Sequence, residues 1–179
     1  MFRETRRQEE FACWPANEYA LVMKLPEESV WDYPRPPLCE PVDYELKVIF
    51  GGEVIAQTSK GFRVCETSHP PTYYIPSSDV KKEALQPVEG TSLCEFKGKA
   101  RYYNVRVGNH VIERSAWAYD TPTAAFREIT GYLCFYAEGM ESCFVNGELV
   151  KPQPGNFYGG WITTNLKGPF KGVPGSMFW

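Results

Sequence analysis

The stretch Tyr44-Glu45-Leu46-Lys47-Val48-Ile49-Phe50-Gly51-Gly52-Glu53-Val54-Ile55-Ala56-Gln57-Thr58 reads as a β-hairpin. Gly51-Gly52 is a favoured two-residue turn, and the runs on either side of it alternate polar and apolar residues. The register of such a turn puts Leu46, Val48, Phe50 and Ile55 on one face, a core face. Downstream, residues 62–67 form a third strand that leads through Pro70-Pro71 into a short strand at 73–75. Ser78 or Asp79 caps a brief helix over 80–85, ahead of Pro87.

The sheet continues through residues 91–96, a Lys97-Gly98 turn and residues 100–107; Gly108-Asn109 then returns the chain along 110–119. A two-residue turn there sets Val105 against Ile112 and Tyr103 against Arg114. The opposite face pairs Tyr102 with Ser115 and Ala100 with Trp117, with Tyr119 in step. Aromatic rings interleaved with hydrogen-bonding groups give that face the composition of a pocket wall. Thr121-Pro122 starts a second short helix that Gly131 ends. A strand follows at 132–136, and residues 142–150 fold about Asn146-Gly147 as a further hairpin.

The fold class is therefore mainly β, with antiparallel sheets and two short helices. Residues 1–26 form an N-terminal arm, with apolar residues irregularly spaced around Pro15. A single domain spans 27–179 and includes an irregular Gly/Pro/aromatic tail, 152–179, that lies ordered on the core. Trp31-Asp32-Tyr33-Pro34-Arg35-Pro36-Pro37 is an extended, polyproline-like run. It is either a proline-rich ligand for another protein or a strap whose Trp31 and Tyr33 pack onto the domain.

A chain of 179 residues with 43% hydrophobic content can bury a core. The formal net charge of -3 offers no basic field for a phosphate backbone, so nucleic acid is not expected as a partner. No stretch approaches the roughly 20 apolar residues of a membrane helix, and no signal-peptide pattern is present. A cytosolic protein without a membrane partner is expected. The six cysteines (Cys13, Cys39, Cys65, Cys94, Cys134, Cys143) contain no C-x-x-C pair and read as free, mostly buried thiols.

Chemistry concentrates in Arg63-Val64-Cys65-Glu66-Thr67-Ser68-His69-Pro70-Pro71-Thr72-Tyr73-Tyr74-Ile75-Pro76. With Cys94, Lys97, Tyr102 and Trp117, the residues Arg63, Glu66, His69, Tyr73 and Tyr74 make up a candidate ligand pocket. Glu66, His69 and Lys97 are the catalytic candidates: histidine near a carboxylate can move protons near neutral pH. Arg63 and Lys97 can hold an anionic group. The alternative is a tight turn in which His69 and Glu66 satisfy backbone groups beside Pro70-Pro71. Cys65, His69 and Cys94 could instead offer three metal ligands. Asp32, Asp43, Asp79 and Asp120 are scattered, without a D-x-D pair, and no phosphate-cradling G-x-x-x-x-G-K-[ST] is present.

Longer motifs carry a resemblance. They are Glu28-Ser29-Val30-Trp31-Asp32-Tyr33-Pro34-Arg35-Pro36-Pro37, Glu66-Thr67-Ser68-His69-Pro70-Pro71-Thr72-Tyr73-Tyr74-Ile75-Pro76, Cys94-Glu95-Phe96-Lys97-Gly98 and Ala116-Trp117-Ala118-Tyr119. In the tail they are Pro152-Gln153-Pro154-Gly155-Asn156-Phe157-Tyr158-Gly159-Gly160-Trp161-Ile162-Thr163 and Gly168-Pro169-Phe170-Lys171-Gly172. Together they resemble the domain-of-unknown-function family DUF427, also labelled nucleotidyltransferase-like, most of all in its cyanobacterial versions. The resemblance implies a β-tent similar to the Mss4-like and methionine sulfoxide reductase B folds, in which two antiparallel sheets meet at an angle. Those relatives often hold zinc through two C-x-x-C pairs. This chain has none, so no structural zinc is expected.

Three functional readings follow. The leading one is a module that binds a small ligand or a peptide segment in an aromatic, polar-edged cleft. The second is a nucleotidyltransferase-like enzyme acting on a nucleotide. The third is a protein-interaction module using the arm and the proline-rich strap.

Overall fold

The computed structural model describes residues 24–155 and 157–179. The arm, 1–26, and Cys13 with it, falls almost wholly outside the described residues. The fold is mainly β, as the alternation indicates. One four-stranded antiparallel sheet holds the opening hairpin, β3 (Leu46–Phe50) and β4 (Glu53–Thr58), beside the later hairpin, β11 (Ser142–Val145) and β12 (Glu148–Leu149). Gly51 and Gly52 have φ of +60° and +77°, and Asn146 and Gly147 +50° and +77°, the left-handed pairs that let a two-residue turn follow the strand twist. A bulge pairs Val48 with Ala56 and Ile49 with Val54, so that Ile55 is the extra residue. Ile55 and Ala56 are consequently both buried, with Leu46, Val48 and Phe50.

A second four-stranded antiparallel sheet has the order β10-β9-β8-β7. Its strands are β7 (Leu85–Cys94), β8 (Gly98–Val107), β9 (His110–Tyr119) and β10 (Leu133–Phe135). A three-stranded sheet packs β5 (Phe62–Cys65) between β2 (Leu38–Pro41) and β6 (Thr72–Tyr74). The two are stitched together at one point, where Ile75 and Leu133 exchange backbone hydrogen bonds of 2.8 Å each way. Antiparallel sheets joined this way are consistent with a β-tent.

This joined surface separates two cores, and strand alternation sorts neighbouring residues between them. Tyr73, Ala116, Ala118, Leu133 and Phe135 enter the larger core with Leu46, Val48 and Trp161. Tyr74, Trp117, Tyr119 and Cys134 enter the smaller one with Val64, Ala100, Phe126 and Ile129.

The hairpin of β8 and β9 departs from the register its turn implies. Val105 does face Ile112, but a bulge then shifts the pairing so that Tyr103 meets Ala116, Tyr102 meets Trp117 and Ala100 meets Tyr119. Arg114 takes φ +48° there, and its N–H donates to Asn104 Oδ1 at 2.9 Å. The slip is two residues, an even number, so each side chain keeps its face and the aromatic wall survives.

Neither expected helix is an α-helix. Residues 80–85 are replaced by 3-10 turns at Ser77–Asp79 and Lys82–Ala84, after which Leu85 starts β7. The Asp79 carboxylate accepts from Thr58 Oγ1 (2.6 Å) and Ser78 Oγ (2.9 Å) and caps nothing, while extended Val80 bridges to Ala56. Tertiary pairing overrides the local signal. The second expected helix is a kinked 3-10 segment, Ala124–Ile129, because Phe126 and Ile129 are drawn into the smaller core and Thr123 Oγ1 donates to the Phe96 carbonyl instead of capping.

The run at 31–37 is a series of bends and not an extended polyproline segment. Trp31 Nε1 donates to the Pro169 carbonyl (2.9 Å) and its ring meets Trp179 at 5.6 Å. Tyr33 donates to Glu28 Oε2 at 2.6 Å, which makes the run a strap tied to the domain. The tail contributes β13 (Lys151–Pro152), β14 (Trp161–Ile162) and β15 (Leu166–Lys167). The last pairs in parallel with β1 (Glu28–Ser29).

Candidate functional site

A cleft of about 490 Å3 opens on the smaller core. One wall is the face of β8 and β9 that carries Tyr102, Trp117 and Tyr119; the other carries Val64, Glu66, Thr72 and Tyr74 from β5, β6 and the turn between them. The turn after β7 supplies Glu95, Phe96 and Lys97, and the tail closes over one end with Gln153, Tyr158, Gly159 and Lys171. Trp117 packs against Tyr136 with ring centroids 4.5 Å apart. The tail can cross this ring only at Gly159, where a Cβ would overlap the indole.

His69 sits on the rim in a defined state. Gln153, itself buried, accepts from the Gly160 N–H through Oε1 (3.0 Å), which turns its amide nitrogen toward the Lys171 carbonyl (2.8 Å) and His69 Nδ1 (3.0 Å). An amide nitrogen only donates, so Nδ1 is the acceptor and the ring proton is on Nε2. Burial, followed by the nearby charges of Lys171, Lys97 and Arg35, lowers the His69 pKa to about 4. His69 is a neutral donor at physiological pH, with its ring edge-on to Tyr158 at 4.5 Å.

The charged groups divide into committed and uncommitted. Arg35 bridges Glu66 (3.1 Å) and Glu95 (2.6 Å). Lys171 Nζ donates to the main-chain oxygen of Trp179 at 2.7 Å. Lys97 Nζ lies 6.0 Å and 5.8 Å from the ring centres of Tyr119 and Phe126 and makes no ion pair among the described residues.

Tyr74, on the cleft floor, is fully buried, and its hydroxyl has no hydrogen-bond partner among the described residues. The Cys134 thiol lies beside it but is a weak partner that does not satisfy it. An unmet buried hydroxyl costs about 1–3 kcal/mol, which an acceptor reaching the floor would recover. Burial holds the Tyr74 and Tyr119 phenols well above their usual range, so both remain protonated donors.

Of the nine residues the sequence singles out, seven line this cleft: Glu66, His69, Tyr74, Cys94, Lys97, Tyr102 and Trp117. Arg63 and Tyr73 do not. They face each other across β5 and β6 on the surface turned away from the cleft. Arg63 binds Glu40 (2.7 Å) and Glu28 (2.9 Å), and Tyr73 packs on Trp161 (5.4 Å) and Tyr44 (6.5 Å) in the larger core. Cys65, on the same side as Arg63, is buried, and burial pushes its thiol up to about 12. The five described cysteines are free, and no three His, Cys, Asp or Glu side chains among the described residues are placed to share a metal ion. Sequence reasoning missed Arg35, Gln153, Tyr158 and Lys171, which come from the strap and tail. All four stand in the strap and tail motifs that carry the family resemblance, and the aromatic richness of those segments hinted that they pack against the domain.

A search of curated proteins found no match to this chain. The family model described as Domain of unknown function (DUF427) matches residues 38–146, from β2 to the turn after β11. That match holds most of both cleft walls, whereas Arg35, Gln153, Tyr158 and Lys171 lie outside it. It covers more than half of the sequence, and the chain belongs to the DUF427 family.

Proposed function

We propose that the protein binds a small, planar ligand in this cleft. The observation that carries the reading is a concave site walled by Tyr102, Trp117 and Tyr119 in which one buried donor, the Tyr74 hydroxyl, is unmet among the described residues. Aromatic walls take up flat apolar surface, and a few fixed polar groups orient it. A small molecule suits the site better than a peptide segment, because the tail residues Gln153, Tyr158 and Gly159 close over one end. No helix among the described residues is long and apolar enough to cross a membrane. The reading puts the protein in the cytosol, where thiols such as its free cysteines stay reduced.

Nucleotidyl transfer is less well supported. Arg35 and Lys97 could meet phosphate, but Glu66, the proposed base, is engaged by Arg35, and His69 turns a proton and not a lone pair outward. The interaction-module reading loses its extended proline ligand, since Trp31 and Tyr33 are tied to Pro169 and Glu28.

The test is a screen of small aromatic compounds by tryptophan fluorescence, with Trp117 as reporter, followed by Tyr102→Ala. Tyr102 is half-buried and hydrogen-bonded to Ser92 at 2.7 Å, so its loss should leave the fold standing. The expected result is affinity weakened by about tenfold, the order of a lost aromatic contact, at nearly unchanged Tm. Unaltered affinity for every hit would remove the cleft as the binding site.

A further inference from the structure

We propose that the ligand is a conjugated monocarboxylate, with its carboxylate on Lys97 and acceptor atoms along its body meeting His69 Nε2–H and the Tyr74 hydroxyl. This rests on the cleft reading and adds a ligand class to it.

The argument starts from charge. The lining holds three cations, Arg35, Lys97 and Lys171, and two carboxylates, Glu66 and Glu95, both of which pair with Arg35, while Lys171 donates to the main-chain oxygen of Trp179. Lys97 lies near the rings of Tyr119 and Phe126 and has no ion-pair partner among the described residues. Three cations against two carboxylates leave the lining one positive charge in surplus, and beside a low-dielectric aromatic floor that is complementary to one negative charge. A phosphate monoester brings nearly two, and the carboxylates of Glu66 and Glu95 on the same rim would oppose the second.

The neutral groups narrow the class further. Gln153 denies His69 any outward lone pair, so the imidazole offers a donor. The Tyr74 hydroxyl is buried and unpartnered, an independent sign that something with an acceptor belongs on the floor. Trp117, Tyr102 and Tyr158 present ring surface between these groups, so the body that joins the acceptors is flat. A molecule without acceptor atoms would leave both donors unmet, and a cationic one would put positive charge against Lys97.

The experiment is isothermal titration of the full chain at neutral pH with 6-methoxy-2-naphthoate, 6-methoxy-2-naphthamide and 6-methoxy-2-naphthyl phosphate, whose methoxy oxygen supplies an acceptor on the body, repeated on Lys97→Gln. Lys97 is only half-buried, and a thermal melt checks that the variant folds. The carboxylate should bind about tenfold or more tighter than the amide, the scale of a charge-assisted contact. Lys97→Gln should erase that preference and leave amide binding unchanged. Carboxylate and amide binding equally, or Lys97→Gln weakening both alike, would overturn the carboxylate assignment while the cleft reading stands. A phosphate that binds about tenfold tighter than the carboxylate would overturn it in favour of a dianion. If none of the three binds and Tyr102→Ala changes nothing in the wider screen, both readings fall.

Discussion

His69 shows how a residue's role is set by what holds it. Its position beside Pro70-Pro71 and near Glu66 suggested acid–base work, and proximity in sequence was the only signal. The structure joins it to Gln153, 84 residues away, and leaves it a neutral donor. A pH dependence follows. The unfolded chain takes up a proton on this side chain near 6.5, whereas the folded protein resists until about 4. The unfolded state therefore binds more protons between those values, and stability falls as pH drops through that window. Above about 6.5 the group is neutral in both states and contributes no slope. Melting temperatures measured from pH 7 to 4 should fall more steeply for the wild type than for His69→Gln. Parallel curves would mean that His69 is not held neutral by the fold.

At the scale of elements, strand alternation decides which chemistry reaches the cleft. Arg63 and Tyr73 stand one residue from Val64 and Tyr74, yet point to the other side of the sheet. Arg63 there joins β5 to β2 and β1 through Glu40 and Glu28, with all three side chains largely shielded. Arg63→Met should strand two carboxylates and destabilise the protein by about 1–3 kcal/mol, less than a fully buried pair because water still reaches them. Urea denaturation measures this, and affinity for any cleft ligand should be unchanged. A loss of affinity at constant stability would put Arg63 back among the ligand-binding groups. The strands themselves were legible from alternation and turn residues, as Gly51-Gly52 and Asn146-Gly147 show. The two short helices were legible in place but not in form: Lys82–Ala84 and Ala124–Ile129 are 3-10 turns, and Ser78, Asp79 and Thr121-Pro122 are local start signals that do not cap them. Nothing local reports that Val80 pairs with Ala56 or that Phe126 sinks into a core.

At the scale of the molecule, the tail is part of the core. Trp161 is buried, packs on Tyr73 and donates from Nε1 to the Phe135 carbonyl at 2.9 Å. Losing one such side chain costs about 3–5 kcal/mol, a large share of the roughly 5–15 kcal/mol that holds a domain together. A chain truncated after Val150 should lose its cooperative thermal transition, as followed by near-ultraviolet circular dichroism. An unchanged melt would show that the tail is dispensable and that the chain up to Val150, which contains the segment the family model matches, suffices for the fold. The sequence by itself determined the mainly β class, the hairpins and the face of β8 and β9 that became a cleft wall, because turn chemistry and period-two alternation are local. That wall survived a register slip because the slip was even. Only the tertiary structure decided that Arg35, Gln153, Tyr158 and Lys171 complete the site and that Lys97 is left without an anion. Those outcomes depend on contacts between segments far apart in the chain, and local spacing carries no record of which distant group will neutralise a charge.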